Sequence, residues 1–272
     1  MGVRPAQLTE NRKIDCQNCF GIRIGVAMLN KYDFVNSTEV DQFIDFLRKK
    51  IFSSASQLQQ YLDDYKWPEN RNGLYFEQTF EKVVSLRAGL KSALNRHDPE
   101  QAFDICCEIL RWGGVVVATP NIKKLKEIRS KGNFISNLQE ARTFIQSYII
   151  DNENFHLPMN SGFSKIYNLL DDQFIIYDSR VAAQLCSLVK QCFNGNPVII
   201  ELGKCAYQAK ANRDPGKDFP MLTGKPKKHF ESNIKAAWML QRLADEHNLL
   251  RFTTDKMIFA YQTALFVEGK TL

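Results

Sequence analysis

Apolar residues recur three and four positions apart through most of this chain, in runs bounded by capping or breaking residues. That period puts one apolar stripe on a helix, whereas a half-buried strand needs strict alternation. STEVDQFIDFLRKKIF (37–52) opens with capping residues and sets Val40, Phe43, Ile44, Leu47 and Ile51 on one face. SASQLQQYLDDY reads as a second helix, ended near Trp67-Pro68. YFEQTFEKVVSLRAGLKSALNRH follows as a long amphipathic helix. Asp98-Pro99 then restarts the chain into EQAFDICCEILRWGG, where Gly113-Gly114 signals a stop. Further helices are expected at NLQEARTFIQSYII, VAAQLCSLVKQCF, HFESNIKAAWMLQRLADEH and TDKMIFAYQTALFV. PVIIELG fits either a short strand or a buried helix. No series of strands with crossover helices is visible, so the expected class is mainly α.

The 272 residues contain 44% hydrophobic and 24% charged residues, ordinary for a soluble globular protein. No apolar run reaches the length of a membrane span, and MGVRPAQLTENRK has no apolar core of a signal peptide. A cytosolic protein with no membrane partner is expected. Seven cysteines without an export signal fit reduced thiols, and Cys16-x-x-Cys19 has no second pair at zinc spacing. Neither a metal nor another cofactor is expected. The formal net charge of +6 is concentrated. NIKKLKEIRSK (121–131) is strongly basic, and so is the stretch from Lys204 to Lys235 around the long polar loop NRDPGKDFPMLTGKPKK. Each reads as a solvated face or as a surface for an anionic partner such as nucleic acid.

Chemistry is concentrated in SGFSKIYNLLDDQFIIYDSRVAAQL (161–185). Lys165 follows a Ser-Gly-Phe-Ser turn and falls in the first turn of the helix SKIYNLL. The positive end of the helix dipole disfavours an ammonium there, and burial acts in the same direction. A neutral amine is what a nucleophilic lysine needs. Asp178 opens the next helix. Placed close together, the two groups would oppose each other, because a carboxylate holds an ammonium protonated. The alternative is structural: Asp178 as an ordinary N-cap and Lys165 as a solvated surface lysine.

LPMNSGFSKIYNLL followed by FIIYDSRVAAQL resembles the helix-hairpin-helix DNA glycosylase superfamily, particularly the 8-oxoguanine DNA glycosylases and their bacterial relatives. Leu157-Pro158, Gly162, Ser164-Lys165 and Asp178 stand in the family's order. ATPNIKKLKEI is similar to the segment that fills the gap left by a flipped base. The hairpin is two residues longer between Pro158 and Lys165 than the family's, and the Lys165 to Asp178 spacing is shorter. The resemblance covers roughly residues 110 to 190.

It implies a two-lobed helical fold, with an N-terminal helical region (1–100) packed on a glycosylase-like region (101–272) whose hairpin spans about 157–180. It also implies a DNA glycosylase and AP lyase of base excision repair, acting on double-stranded DNA with a damaged or modified base, with 8-oxoguanine as the default. Lys165 would be the nucleophile and Asp178 its carboxylate. Asn121, Lys123, Lys124, Ser161, Gly162, Phe163, Ser164 and Arg180 would contact DNA, and the location would be cytoplasmic, at the nucleoid. Base-stacking candidates are Trp112, Phe163, Tyr167, Trp238, Phe259 and Tyr261, each of which also suits the core. The competing readings are a non-catalytic DNA-binding protein of the same motif, a monofunctional glycosylase acting on a foreign modified base, a Schiff-base enzyme for small carbonyl compounds, and a metal-dependent nuclease.

Overall fold

A computed structural model describes residues 29–68, 72–114, 119–147, 149–150, 154–194, 200–205 and 213–270. The CxxC pair at 16 and 19 lies outside these residues, as do residues 197–199 of the PVIIELG stretch; Ile200 to Gly203 are neither helix nor strand. The chain is mainly helical, with 11 helices among the described residues. They run α1 (Lys31–Val35), α2 (Thr38–Lys50), α3 (Ala55–Asp63), α4 (Phe76–Asn95), α5 (Pro99–Trp112), α6 (Thr119–Ser130), α7 (Phe134–Gln146), α8 (Ser161–Asn168), α9 (Ser179–Cys192), α10 (Pro226–Glu246) and α11 (Thr254–Glu268). Two antiparallel ladders accompany them. β1 (Leu29–Asn30) pairs with β4 (Ile149–Ile150), and β2 (Lys66–Trp67) pairs with β3 (Leu74–Tyr75).

The helix starts follow local chemistry. Ser37 and Ser54 cap α2 and α3 through their hydroxyls, and Asp98 caps α5 with Pro99 in the first turn. Val40, Phe43, Ile44 and Leu47 of α2 are buried, as their spacing requires. Gly113 ends α5, and Gly114 takes a left-handed backbone at φ 71°, which a glycine adopts without strain. The expected helix through Ile150 stops at Gln146. Ile149 and Ile150 instead form β4, because Leu29 and Asn30 return to pair with them.

Helix packing falls into two groups. α5 packs on α6, α7 and α8, while α1 and α2 pack against α10, and α2 also meets α9. α11 contacts α3, α9 and α10 and touches α4, which itself lies along α5. The chain therefore returns at its C-terminal end to cover its first helices. One continuous apolar cluster runs through both groups, from Phe34 and Val40 to Leu265 and Phe266. No helix among the described residues is long and apolar enough to cross a membrane.

Candidate active site

α8 starts at Ser161 because Asn160 caps it. The Asn160 side chain accepts from the N–H groups of Gly162 and Phe163 at 2.8 and 3.1 Å. Ser-Gly-Phe-Ser is therefore the first turn of the helix itself, and Lys165 is its fifth residue rather than a first-turn residue. The dipole effect fades within one turn, so it is not what perturbs this amine. Burial is. Lys165 is 6% exposed, and its Nζ donates to the Ser161 carbonyl at 2.9 Å. Its aliphatic stem lies across Gly113, where a Cβ would meet Lys165 Cδ at 2.3 Å. Burial pushes the amine's pKa below the ordinary lysine value. Asp178 and Cys205 oppose the shift, and Arg180 adds to it. A solvated surface lysine is ruled out.

Asp178 is the N-cap of α9, accepting from the N–H groups of Arg180 at 2.9 Å and Val181 at 3.2 Å. The structural reading of this residue holds, and it leaves room for another role. Lys165 and Asp178 line one pocket, together with Tyr65, Trp67, Trp112, Phe259, Gln262 and Phe266. Lys165 Nζ is bonded to the Ser161 carbonyl and the Asp178 carboxylate to backbone N–H groups, and the two share a pocket without forming an ion pair with each other. The pocket lies where α5 and α8 of one helix group face α9 and α11 of the other.

Several lining residues carry no signal in the motif region. Trp67 arrives from the β2–β3 hairpin, and its indole N–H donates to the Trp112 carbonyl at 3.0 Å. Gln262 accepts the Ile176 N–H through Oε1 at 2.7 Å. That bond assigns the amide orientation and leaves its NH₂ as the remaining donor. Phe259, Gln262 and Phe266 are three and four apart on α11, so a glutamine interrupting an apolar helix face was the readable clue. Of the aromatic stacking candidates, Trp112 and Phe259 reach the pocket. Phe163, Tyr167 and Tyr261 are buried in the core, and Trp238, also buried, borders a different cleft.

The expected DNA contacts need correction. Gly162, Phe163 and Ser164 are buried. The N–H groups of Gly162 and Phe163 are held by the Asn160 side chain, and that of Ser164 by the Asn160 carbonyl, so they do not face a phosphate. Ser161 is half-buried. Asn121 sits in the first turn of α6 rather than in a loop; it accepts from Asn160 Nδ2 at 2.8 Å and packs over Gly162. The two matching sequence segments therefore do meet in space. Lys123 is exposed, and Lys124 pairs with Glu127 at 3.1 Å. Arg180 does not project outward. Its guanidinium lies 4.9 Å from the Trp67 ring and 4.7 Å from the Phe266 ring, rings set nearly perpendicular to each other.

Much of the basic charge is already partnered. Lys131 pairs with Glu127, Arg129 with Glu100, Lys190 with Asp218, Lys204 with Asp214, and Lys228 and Lys235 with Glu231. Among the described residues no group of three His, Cys, Asp or Glu side chains is placed to hold a metal ion. A wider cleft of about 250 Å³, against about 20 Å³ here, is lined by Lys31, Gln146, Asp171, Asp172, Trp238 and Gln241. Burial also lowers the pKa of its Lys31, but that side chain is only half-buried, so the smaller pocket with the buried Lys165 is the better candidate for covalent chemistry.

Comparison with protein-family models, with curated proteins and with solved structures finds no match to this chain.

Proposed function

We propose that this protein is a DNA glycosylase with lyase activity, removing a damaged or modified base from double-stranded DNA through a Schiff base on Lys165. The observation that carries the reading is a buried lysine with a depressed pKa facing a pocket that also holds Asp178 and several aromatic rings. Lowering the pKa enlarges the neutral, nucleophilic fraction of the amine at any given pH. The grouping of α5–α8 against α1–α3 and α9–α11, with the pocket in the seam, supports a two-lobed helix-hairpin-helix arrangement.

The target nucleotide leaves the helix stack, at a cost of a few kcal/mol in lost stacking, and the pocket, about 20 Å³ in this structure, widens to admit it. Aromatic edges and faces at Trp67, Trp112 and Phe266 recover part of that cost. As the C1′–N bond breaks, positive charge grows on the sugar, and the Asp178 carboxylate stabilises it. Lys165 Nζ bonds to C1′, and the departing base takes up a proton. The amine loses its remaining proton as the sugar opens to an imine. Removal of a C2′ proton then expels the 3′ phosphate, and water releases the lysine. The Gln262 NH₂ suits a base that presents a hydrogen-bond acceptor.

The test is borohydride trapping on duplexes carrying 8-oxoguanine, other modified bases or an abasic site. The expected result is a covalent adduct that disappears in Lys165→Gln and falls at least about a hundredfold in Asp178→Asn. Absence of an adduct on every duplex, the abasic one included, sinks the Schiff-base mechanism. Base release without an adduct would identify a monofunctional glycosylase instead.

A further inference from the structure

Lys165 and Asp178 share a pocket, yet the carboxylate stays outside ion-pairing distance of the amine. Something must hold it there, because an unrestrained carboxylate beside a buried ammonium would close on it. Two sets of contacts anchor Asp178. On its own side chain, the carboxylate is fixed to the N–H groups of Arg180 and Val181. On the preceding peptide, the Tyr177 carbonyl accepts from His229 Nε2 at 3.2 Å and from the Cys205 thiol at 3.8 Å. A carbonyl only accepts, so the His229 proton sits on Nε2. Cys205 Sγ and His229 Nε2 are 3.9 Å apart, so both grip one oxygen.

The grip is itself braced. Tyr177 is fully buried, and its hydroxyl donates to the Gly203 carbonyl at 2.9 Å. The Gly203 N–H donates to Ser232 Oγ at 3.0 Å, and Ser232 lies on α10, one turn after His229. Tyr177 is thus held at both ends by α10 and the 200–205 segment. Lys165 meanwhile donates to a neutral acceptor, the Ser161 carbonyl.

We propose that His229 and Cys205 form an uncharged clamp on the Tyr177–Asp178 peptide. The clamp keeps the Asp178 carboxylate from pairing with Lys165, so that the amine can be neutral when substrate arrives. Both are positioning residues, and their assignment to catalysis rests on the glycosylase reading above.

The clamp's chemistry fits the task. Burial drives His229 down to about 4 and Cys205 up to about 12, so both are uncharged at neutral pH. The titratable groups that act on the lysine are Asp178 and Arg180 at the start of α9 and Cys205, and the lysine in turn acts on His229 of α10. From α5 the neighbours are Trp112 and Gly113, and from α11 Gln262 and Thr263, none of which titrates near neutral pH. Asp178 is therefore the larger of the two groups that favour the charged amine, Cys205 being the other, and its distance bears most on the amine's protonation.

The experiment follows the Lys165 amine directly. The full chain is prepared with ¹³Cε-lysine, and the ε-methylene signals are followed by NMR across pH, with Lys165 assigned by its loss in Lys165→Gln. His229→Leu and Cys205→Ala remove the clamp, whereas His229→Gln keeps an N–H donor. The expected result is an upward move of the Lys165 midpoint by about one pH unit, a tenfold change in proton affinity, in the first two variants. His229→Gln should stay near the parent value. The pH profile of adduct formation on an abasic duplex should move with it. An unshifted midpoint in folded His229→Leu and Cys205→Ala overturns the clamp, as does a shift in His229→Gln equal to that in His229→Leu. If His229→Leu does not fold, Cys205→Ala carries the decision. A shifted midpoint in a protein that forms no adduct on any DNA keeps the clamp and removes the glycosylase reading.

Discussion

Burying an amine as deeply as Lys165 costs stability that a purely structural residue would not be expected to impose. The unfolded chain keeps its lysine protonated up to about pH 10.4, while burial in the folded chain works against the same charge. Lys165→Met keeps the stem that crosses Gly113 and removes the charge. It should therefore abolish adduct formation and raise stability by about 1–2 kcal/mol, a familiar trade at sites built for chemistry. Urea titration of the two proteins at pH 7 checks this. His229 gives a second prediction with a definite sign. Its folded value, about 4, lies below the ordinary 6.5. Between those limits the unfolded state binds a proton that the folded state refuses, so stability rises with pH across that window. Fully developed, the effect is about 3 kcal/mol. The difference in unfolding free energy between the parent and His229→Gln should grow from pH 4 to 6.5 and level off above it. Both residue types were plain in the sequence. What was not legible was that Lys165 lies one turn deeper in its helix, because Asn160 five positions upstream competes successfully for the cap.

At the scale of elements, the ends of α5 and α8 set the geometry of the site. The α5 stop was readable, since Gly113-Gly114 after an amphipathic run ends a helix by local conformational preference alone. Its second use was not readable. Gly113 has an ordinary backbone, so alanine there meets no φ penalty, yet its Cβ would collide with Lys165 Cδ and Cε. The lysine end is flexible and can move aside. Gly113→Ala should therefore leave stability within about 1 kcal/mol while lowering adduct formation by about a hundredfold, since a displacement of about 1 Å is enough for a loss of that size. Single-turnover trapping beside thermal unfolding separates the two effects. A loss of stability larger than the loss of activity would mean that the glycine serves packing. The β2–β3 hairpin was missed for a related reason. Two-residue strands leave no period to detect, and Trp67 gains its importance from Trp112, Arg180 and Phe266, all distant in sequence.

For the whole molecule, charge is the property most easily misjudged from sequence. The excess of basic residues suggested a broad anionic footprint, but ion pairs neutralise much of both basic stretches. Lys123 is exposed on α6, near the Asn121–Asn160 contact beside the hairpin. If it meets a phosphate, Lys123→Gln should reduce the slope of log affinity against log salt by about 0.9. Lys190→Gln, whose amine rests on Asp218 at 2.8 Å, should leave that slope unchanged. Fluorescence anisotropy on one abasic duplex at several salt concentrations measures both. Equal slopes for all three proteins would move the DNA-facing surface away from α6.

Helix content, most helix starts and the buried stripe of α2 were determined by the sequence alone, because capping and periodicity act over one or two turns. The pairing of Lys165 with Asp178 as candidate residues was also visible there, through spacing and resemblance. The pocket was decided only by tertiary structure. Trp67, Trp112, Lys165, Asp178, Gln262 and Phe266 come from five separate parts of the chain, and no local rule brings them together. The amine's depressed pKa was decided at the same level. Desolvation depends on what covers a side chain, and the cover here is supplied by helices packed from both ends of the described chain.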